Sequence, residues 1–106
     1  MAFADTLATL PTIDHLQGLN VLDAEGNVVH HIPNAPGKAG SLRLYHALAQ
    51  QFNGELSPAA AQQGLTWFGE HVADALARPG AHPNIDLLLR QQTATTSLRL
   101  QPVLAA

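Results

Sequence analysis

"GLNVLDAEGNVVHHIP", residues 18–33, sets two runs of aliphatic and β-branched residues, Leu19–Leu22 and Val28–Ile32, on either side of Asp-Ala-Glu-Gly. Asp23 suits the start of a turn, and Gly26 can take the positive φ that closes a short loop, so the stretch predicts a β-hairpin. Pro33 ends the second strand because it has no N–H to give to a ladder. His30 and His31 are neighbours on that strand. Successive strand residues face opposite sides, so one imidazole leans toward the body of the protein and the other away from it; the register decides which.

A hairpin alone buries little, so the rest of the chain must supply a third strand and a cover. "TTSLRLQPV", residues 95–103, alternates Leu98 and Leu100 with Ser97, Arg99 and Gln101, the pattern of a half-exposed strand. The segments between are helical. Phe3, Leu7 and Leu10 predict a short helix over residues 2–10 that Pro11 stops. Pro36-Gly37 fits a turn, and Ser41 fits an N-cap for a helix whose stripe is Leu42, Tyr45, Leu48, Ala49 and Phe52. Arg43, His46 and Gln50 form its polar face, and Asn53-Gly54 stops it.

The longest helix is predicted over residues 58–78. Ser57-Pro58 opens it, Ala61, Leu65, Phe68, Val72 and Leu76 make its buried stripe, and Pro79-Gly80 ends it. That stripe is expected to organise the core. A further helix starts near Pro83. Three β segments are too few for a sandwich. The reading is therefore α+β: a small antiparallel sheet, hairpin plus C-terminal strand, with three to four helices packed on one face. The 106 residues suit a single domain over 1–106.

Composition narrows the function classes. With 46% apolar residues and 12% charged residues the chain reads as globular. It has no cysteine, which removes thiolate metal sites, cysteine nucleophiles and disulfides, and fits a cytoplasmic protein. The net charge is −3, and the five basic residues, Lys38, Arg43, Arg78, Arg90 and Arg99, are scattered. Nucleic-acid binding needs a basic stripe, so no nucleic-acid partner is expected. No apolar run approaches the length of a membrane span, so no membrane partner is expected either. The N-terminus lacks the basic and apolar regions of a signal peptide. The six histidines, each adding one charge when protonated, would carry the net charge from −3 to +3.

Three small constellations carry chemistry. In "NAPGKAGSLRLYHAL", residues 34–48, two glycines and the only lysine precede a helix. A nucleotide-binding P-loop runs G-x-x-x-x-G-K-[ST], but here Lys38 comes before Gly40-Ser41 and the upstream glycine is missing, so that reading fails. What remains is an anion site: amides of Gly40, Ser41 and Leu42 at a helix start, with Lys38 and Arg43 in reach. The alternative is a plain strand-to-helix connector.

The second constellation is Trp67, Glu70, His71 and Asp74. On one continuous helix their spacings place them on one face, with Gly64 leaving a notch beside them. Two oxygens and an imidazole can hold a divalent metal, although HExxH is absent; the alternative is a solvated face with Asp74–Arg78 as an ion pair. Trp67 on a polar flank suits a partner anchor. The third constellation is "GAHPNID", residues 80–86, where proline holds His82 extended. His82 can then approach His71 or Asp74, giving a cluster for acid–base work or a metal. No G-x-S-x-G occurs.

"PGKAGSLRLYHALAQ", residues 36–50, and "HPNIDLLL", residues 82–89, resemble a small family of uncharacterised bacterial proteins of about this length. The resemblance implies a free-standing cytoplasmic bacterial domain and carries no activity or site residues. Two functions are expected. One is a small soluble binding or interaction module, homo-oligomeric or with a small protein partner, working through Trp67, Glu70, His71, Asp74 and His82. The other is a metal-dependent or acid–base enzyme on a small anionic substrate. It would use His71, Asp74 and His82, with the anion held at Lys38, Gly40, Ser41 and Arg43. No cofactor is required by the first, and a divalent metal is the only one suggested by the second.

Overall fold

The hairpin forms as strands β1 (Leu16–Leu22) and β2 (Val28–Pro33), antiparallel, with a bulge opposite Val21/Leu22. Asp23 builds its turn: the Oδ1 atom accepts the N–H groups of Glu25 and Asn27 at 3.0 and 2.9 Å. The Asn27 amide, foremost among these, holds the Asp23 carboxyl below its ordinary value. This computed structural model describes residues 2–105. The other elements are α1 (Phe3–Leu7), α2 (Ala39–Gln51), β3 (Glu55–Leu56), α3 (Pro58–Phe68), α4 (His71–Ala77), α5 (Pro83–Gln91) and β4 (Leu98–Leu104).

The four strands run β2-β1-β4-β3, all antiparallel. The C-terminal strand therefore takes an interior place beside β1. Pro102 is tolerated there because β3 pairs only with Leu98 and Arg99. The Leu100 N–H points to that side, donating to the Gly54 carbonyl at 2.7 Å. Two residues on, the missing proline N–H falls where β3 has already ended. Leu19, Val21, Ile32, Leu56 and Leu100 make the buried face. The other face carries a polar ladder: His31 Nδ1 lies 2.7 Å from Asn20 Oδ1, and Asn20 Nδ2 donates to Gln101 Oε1. His30 is the inward histidine, its Nε2 2.6 Å from Asn84 Oδ1.

The sheet gains the short strand β3 beyond the three expected, and among the described residues five helices form where three to four were expected. The helical cover departs from expectation in three further places. The helix predicted over 58–78 is two helices, broken at Gly69, whose φ of 59° and ψ of −123° no α-helix contains. Gly69 N–H caps α3 by donating to Leu65 and Thr66 carbonyls, and its own carbonyl accepts the Val72 N–H. The redirected α4 buries Ala75 and leaves Leu76, the last residue of the predicted stripe, 64% exposed. Next, α2 begins at Ala39 and Ser41 is not its cap; the N-cap residue is Lys38, with no side-chain bond. Finally, His46 is not on a polar face. It is only 5% exposed, and Leu44 and Ala47 beside it are buried too.

Helix α2 is thus enclosed on nearly all sides, and it organises the core in place of the predicted 58–78 helix. Of the nine largest fully buried side chains, Leu42, Leu44, Tyr45 and Leu48 come from α2 and none from α3 or α4. Gly64, expected to leave a surface notch, is buried where α3 meets α2 and α5. Gln91 ties the end of α5 to the sheet through Nε2, which donates to the Leu56 and Thr96 carbonyls at 2.9 and 2.7 Å.

Ser57 does cap α3, its Oγ accepting the Ala60 N–H at 3.1 Å. Ser57→Ala is expected to destabilise the protein by about 1 kcal/mol in urea unfolding, and Ser57→Asp by much less, because an aspartate can accept the same bond. Equal losses in both variants would contradict the capping role.

Candidate functional site

The strand-to-helix connector and the α4–α5 turn, far apart in sequence, face each other across one cleft. It has a volume of about 250 Å³. Lys38, Gly40 and Ser41 form one wall, His71, His82 and Asn84 the other, and Phe3 and Phe68 contribute its apolar surface. Among the described residues that line it, none is acidic.

Each wall has a local cause. Gly37 at φ 81° turns the chain out of the β2 exit and into α2. Among the described residues no protein group accepts the N–H of Gly40 or Ser41, so both amides remain available at the helix start. The Gly69 break starts α4 at His71 and sets that ring beside Phe3. Phe3 stacks on Phe68 with centroids 5.3 Å apart and meets His71 edge-on at 5.0 Å. Its N–H donates to Glu70 Oε1 at 2.8 Å, which holds the Glu70 carboxyl below its ordinary value.

His82 precedes Pro83 and lies 6.3 Å from His71, ring to ring. Its Nε2 is hydrogen-bonded to Asp74 Oδ2, and the same carboxylate pairs with Arg78. The Arg78 guanidinium, then His82, hold the Asp74 carboxyl far below the usual carboxylate range. With Nε2–H directed at Asp74, Nδ1 is the free nitrogen of the ring. Behind this wall, Tyr45 Oη donates to the Asn84 carbonyl at 2.5 Å and His30 bonds the Asn84 side chain. Asn84 is therefore fixed from both α2 and β2.

The residues singled out in the sequence divide between this cleft and other places. Lys38, Gly40, Ser41, His71 and His82 line it, and Asp74 stands behind His82. Arg43 points elsewhere, donating to the Pro11 and Leu10 carbonyls at 3.0 and 2.7 Å. Trp67 lies on the far side of the Gly69 break in a shallow groove with Thr6, Thr9 and Thr66, half-buried. Glu70 binds the Phe3 amide. Phe3 and Phe68 were not legible as site residues, because only the docking of α1 against the end of α3 brings them here; Asn84 comes from the 80–86 stretch.

Residues 3–102 match a family described as an uncharacterized protein conserved in bacteria, DUF2322. The chain belongs to that family. No curated protein and no solved structure matches it. The two stretches that resemble such a family, residues 36–50 and 82–89, contribute Lys38, Gly40 and Ser41 to one wall and His82 and Asn84 to the other in this DUF2322 chain. Its His71, Asp74 and His82 do not present three donors to one point, since His82 Nε2 is bonded to Asp74 itself. Among the described residues no group of three His, Asp or Glu side chains is placed to hold a metal ion. Among the described residues no helix is long and apolar enough to cross a membrane.

Proposed function

We propose that this DUF2322 chain is a small binding module that takes a small anionic compound, a phosphate or carboxylate, into the cleft between α2 and the α4–α5 turn. The observation that supports it is the lining: Lys38, His71 and His82 converge on one cavity whose described lining residues include no acidic one. A cation and two imidazoles around a cleft favour an anion, and free amides add to that preference. At about 250 Å³ the cavity suits a ligand of few heavy atoms.

Inorganic phosphate is the first probe. Titrated into labelled protein at about pH 6.5, where histidine begins to charge, it is expected to shift the amides of Gly40, Ser41 and Ala81 with a Kd of roughly 1 mM or tighter. Lys38→Ala and His82→Asn are each expected to weaken binding about fivefold or more, roughly 1 kcal/mol. Resonances that stay still at roughly 10 mM phosphate, a concentration well above that Kd, would remove the proposal.

The Asp74–His82 bond favours a second reading, acid–base catalysis on such an anion. A carboxylate that fixes one ring nitrogen leaves the other to take a proton from a bound substrate. An Asp74→Asn variant that binds phosphate normally but loses turnover on an anionic substrate would favour that reading over simple binding.

A further inference from the structure

His46 is the buried titratable group that the cleft does not use. Both of its ring nitrogens lie out of contact with solvent and, among the described residues, have no hydrogen-bond partner. The ring meets His15 edge-on, centroids 5.4 Å apart. His15 belongs to the segment between α1 and β1, which is fastened to the same flank of α2 three residues earlier. There Arg43 donates to the Leu10 and Pro11 carbonyls. Asn34 holds the base of the segment through the Ile13 and Leu16 carbonyls.

We infer that His15 and His46 form an acid-sensitive latch that holds residues 10–15, and α1 beyond them, against α2. With both rings neutral, the segment seals His46 from water. A proton on His46 would put a charge where no group accepts its hydrogen bonds, and a second on His15 would add repulsion across the contact. Lifting the segment lets water solvate His46 and separates it from His15, which is already exposed. Burial, and then the charge of His15, already press the His46 pKa below its ordinary value.

Among the described residues no other charged side chain relieves the site. Helix α3 and strand β1 carry no titratable side chain. On β2, His30 is bonded to Asn84 and His31 lies on the outer face; Glu55 of β3 and Arg99 of β4, opposite each other in the strand register, lie on that outer face as well. Asp5 of α1 and Asp14 of the segment are exposed, and Arg43 is bonded to carbonyls. The sign follows. The opened form takes up the proton more readily, so the latch is closed above the ordinary histidine pKa and loosens as pH falls through it. For one imidazole of ordinary pKa about 6.5, moving from about pH 7.5 to 5.5 raises the opening equilibrium roughly tenfold.

The reading is independent of any cleft ligand. Native-state hydrogen exchange, corrected for intrinsic rates, measures it directly. The reporters are the amides of Leu10, Leu16 and Ala105, which bond Leu7, Ile13 and His15 carbonyls. Their protection is expected to fall roughly tenfold between about pH 7.5 and 5.5 while the Gln92 amide at the end of α5 keeps its own. His46→Leu is expected to flatten that dependence and His15→Gln to make it shallower. Three outcomes overturn the latch: constant protection in the wild type, an equal loss at Gln92 that marks global unfolding, or a dependence that survives in both variants.

Discussion

Gly64→Val is expected to destabilise the protein by about 3 kcal/mol and to lower the midpoint of urea unfolding accordingly. Glycine is a poor helix former, so at an exposed site the change would be nearly neutral or favourable. Here a Cβ added at residue 64 would stand 2.7 Å from Leu88 Cδ1 and 3.0 Å from Leu48 Cδ1. Both leucines are fully buried and hold α5 and α2 against α3. A single methyl meets the far ends of flexible side chains, so Gly64→Ala is expected to cost only about 1 kcal/mol after its gain in helix propensity. The branched valine leaves those ends nowhere to go. Leu88→Ala removes the obstructing atom, so the valine should cost much less in that background, a coupling that a double-mutant cycle isolates. A valine variant as stable as the wild type would mean that the three helices are not packed this closely.

Tyr45→Ala is expected to cost about 4 kcal/mol, a large part of the roughly 5–15 kcal/mol that keeps a domain folded. The ring is fully buried in the middle of α2, and its hydroxyl donates to the Asn84 carbonyl. Tyr45→Phe keeps the ring and deletes the bond, so about 1 kcal/mol is expected. That milder variant is the more informative one for function. Asn84 lines the cleft, and with the tyrosine hydroxyl gone its carbonyl loses the tie to α2 while His30 still holds its side chain. In Tyr45→Phe the amide resonances of residues 81–85 are expected to broaden or shift, while those of β1 and β4 stay in place. An unperturbed turn would mean that the hydroxyl serves packing alone. Burial in the core also pushes the Tyr45 phenol pKa far up, so no charge forms there at ordinary pH.

The elements whose identity rests on local chemistry were legible. Asp23 and Gly26 marked the hairpin turn, Ser57-Pro58 the start of α3, and Pro83 the start of α5, because a cap or a fixed φ acts within a few residues of itself. The two halves of the cleft were each legible as well: Lys38 and Gly40-Ser41 on one side, His71, Asp74 and His82 on the other. What misled was continuity. Residues 58–78 keep a helical period through Gly69, and periodicity cannot distinguish a glycine that continues a helix from one that breaks it. The break separated Trp67 from His71 and Asp74, and it turned Leu76 outward. His46 misled for a related reason: a histidine among polar neighbours reads as surface until the segment carrying His15 is folded over it.

The order of residues along this chain was enough to determine a hairpin, a C-terminal strand, helices on one side, and the kinds of groups available for chemistry. Those properties follow from dihedral preference and from spacing along a strand or helix, which act over a few bonds. Tertiary structure alone decided that α2 lies at the centre, that β4 enters between β1 and β3, and that Lys38 confronts His82 across a cavity while Arg43 does not. These depend on which apolar surfaces exclude water together. That is settled by contacts between distant residues, for which no local pattern in the sequence carries the information.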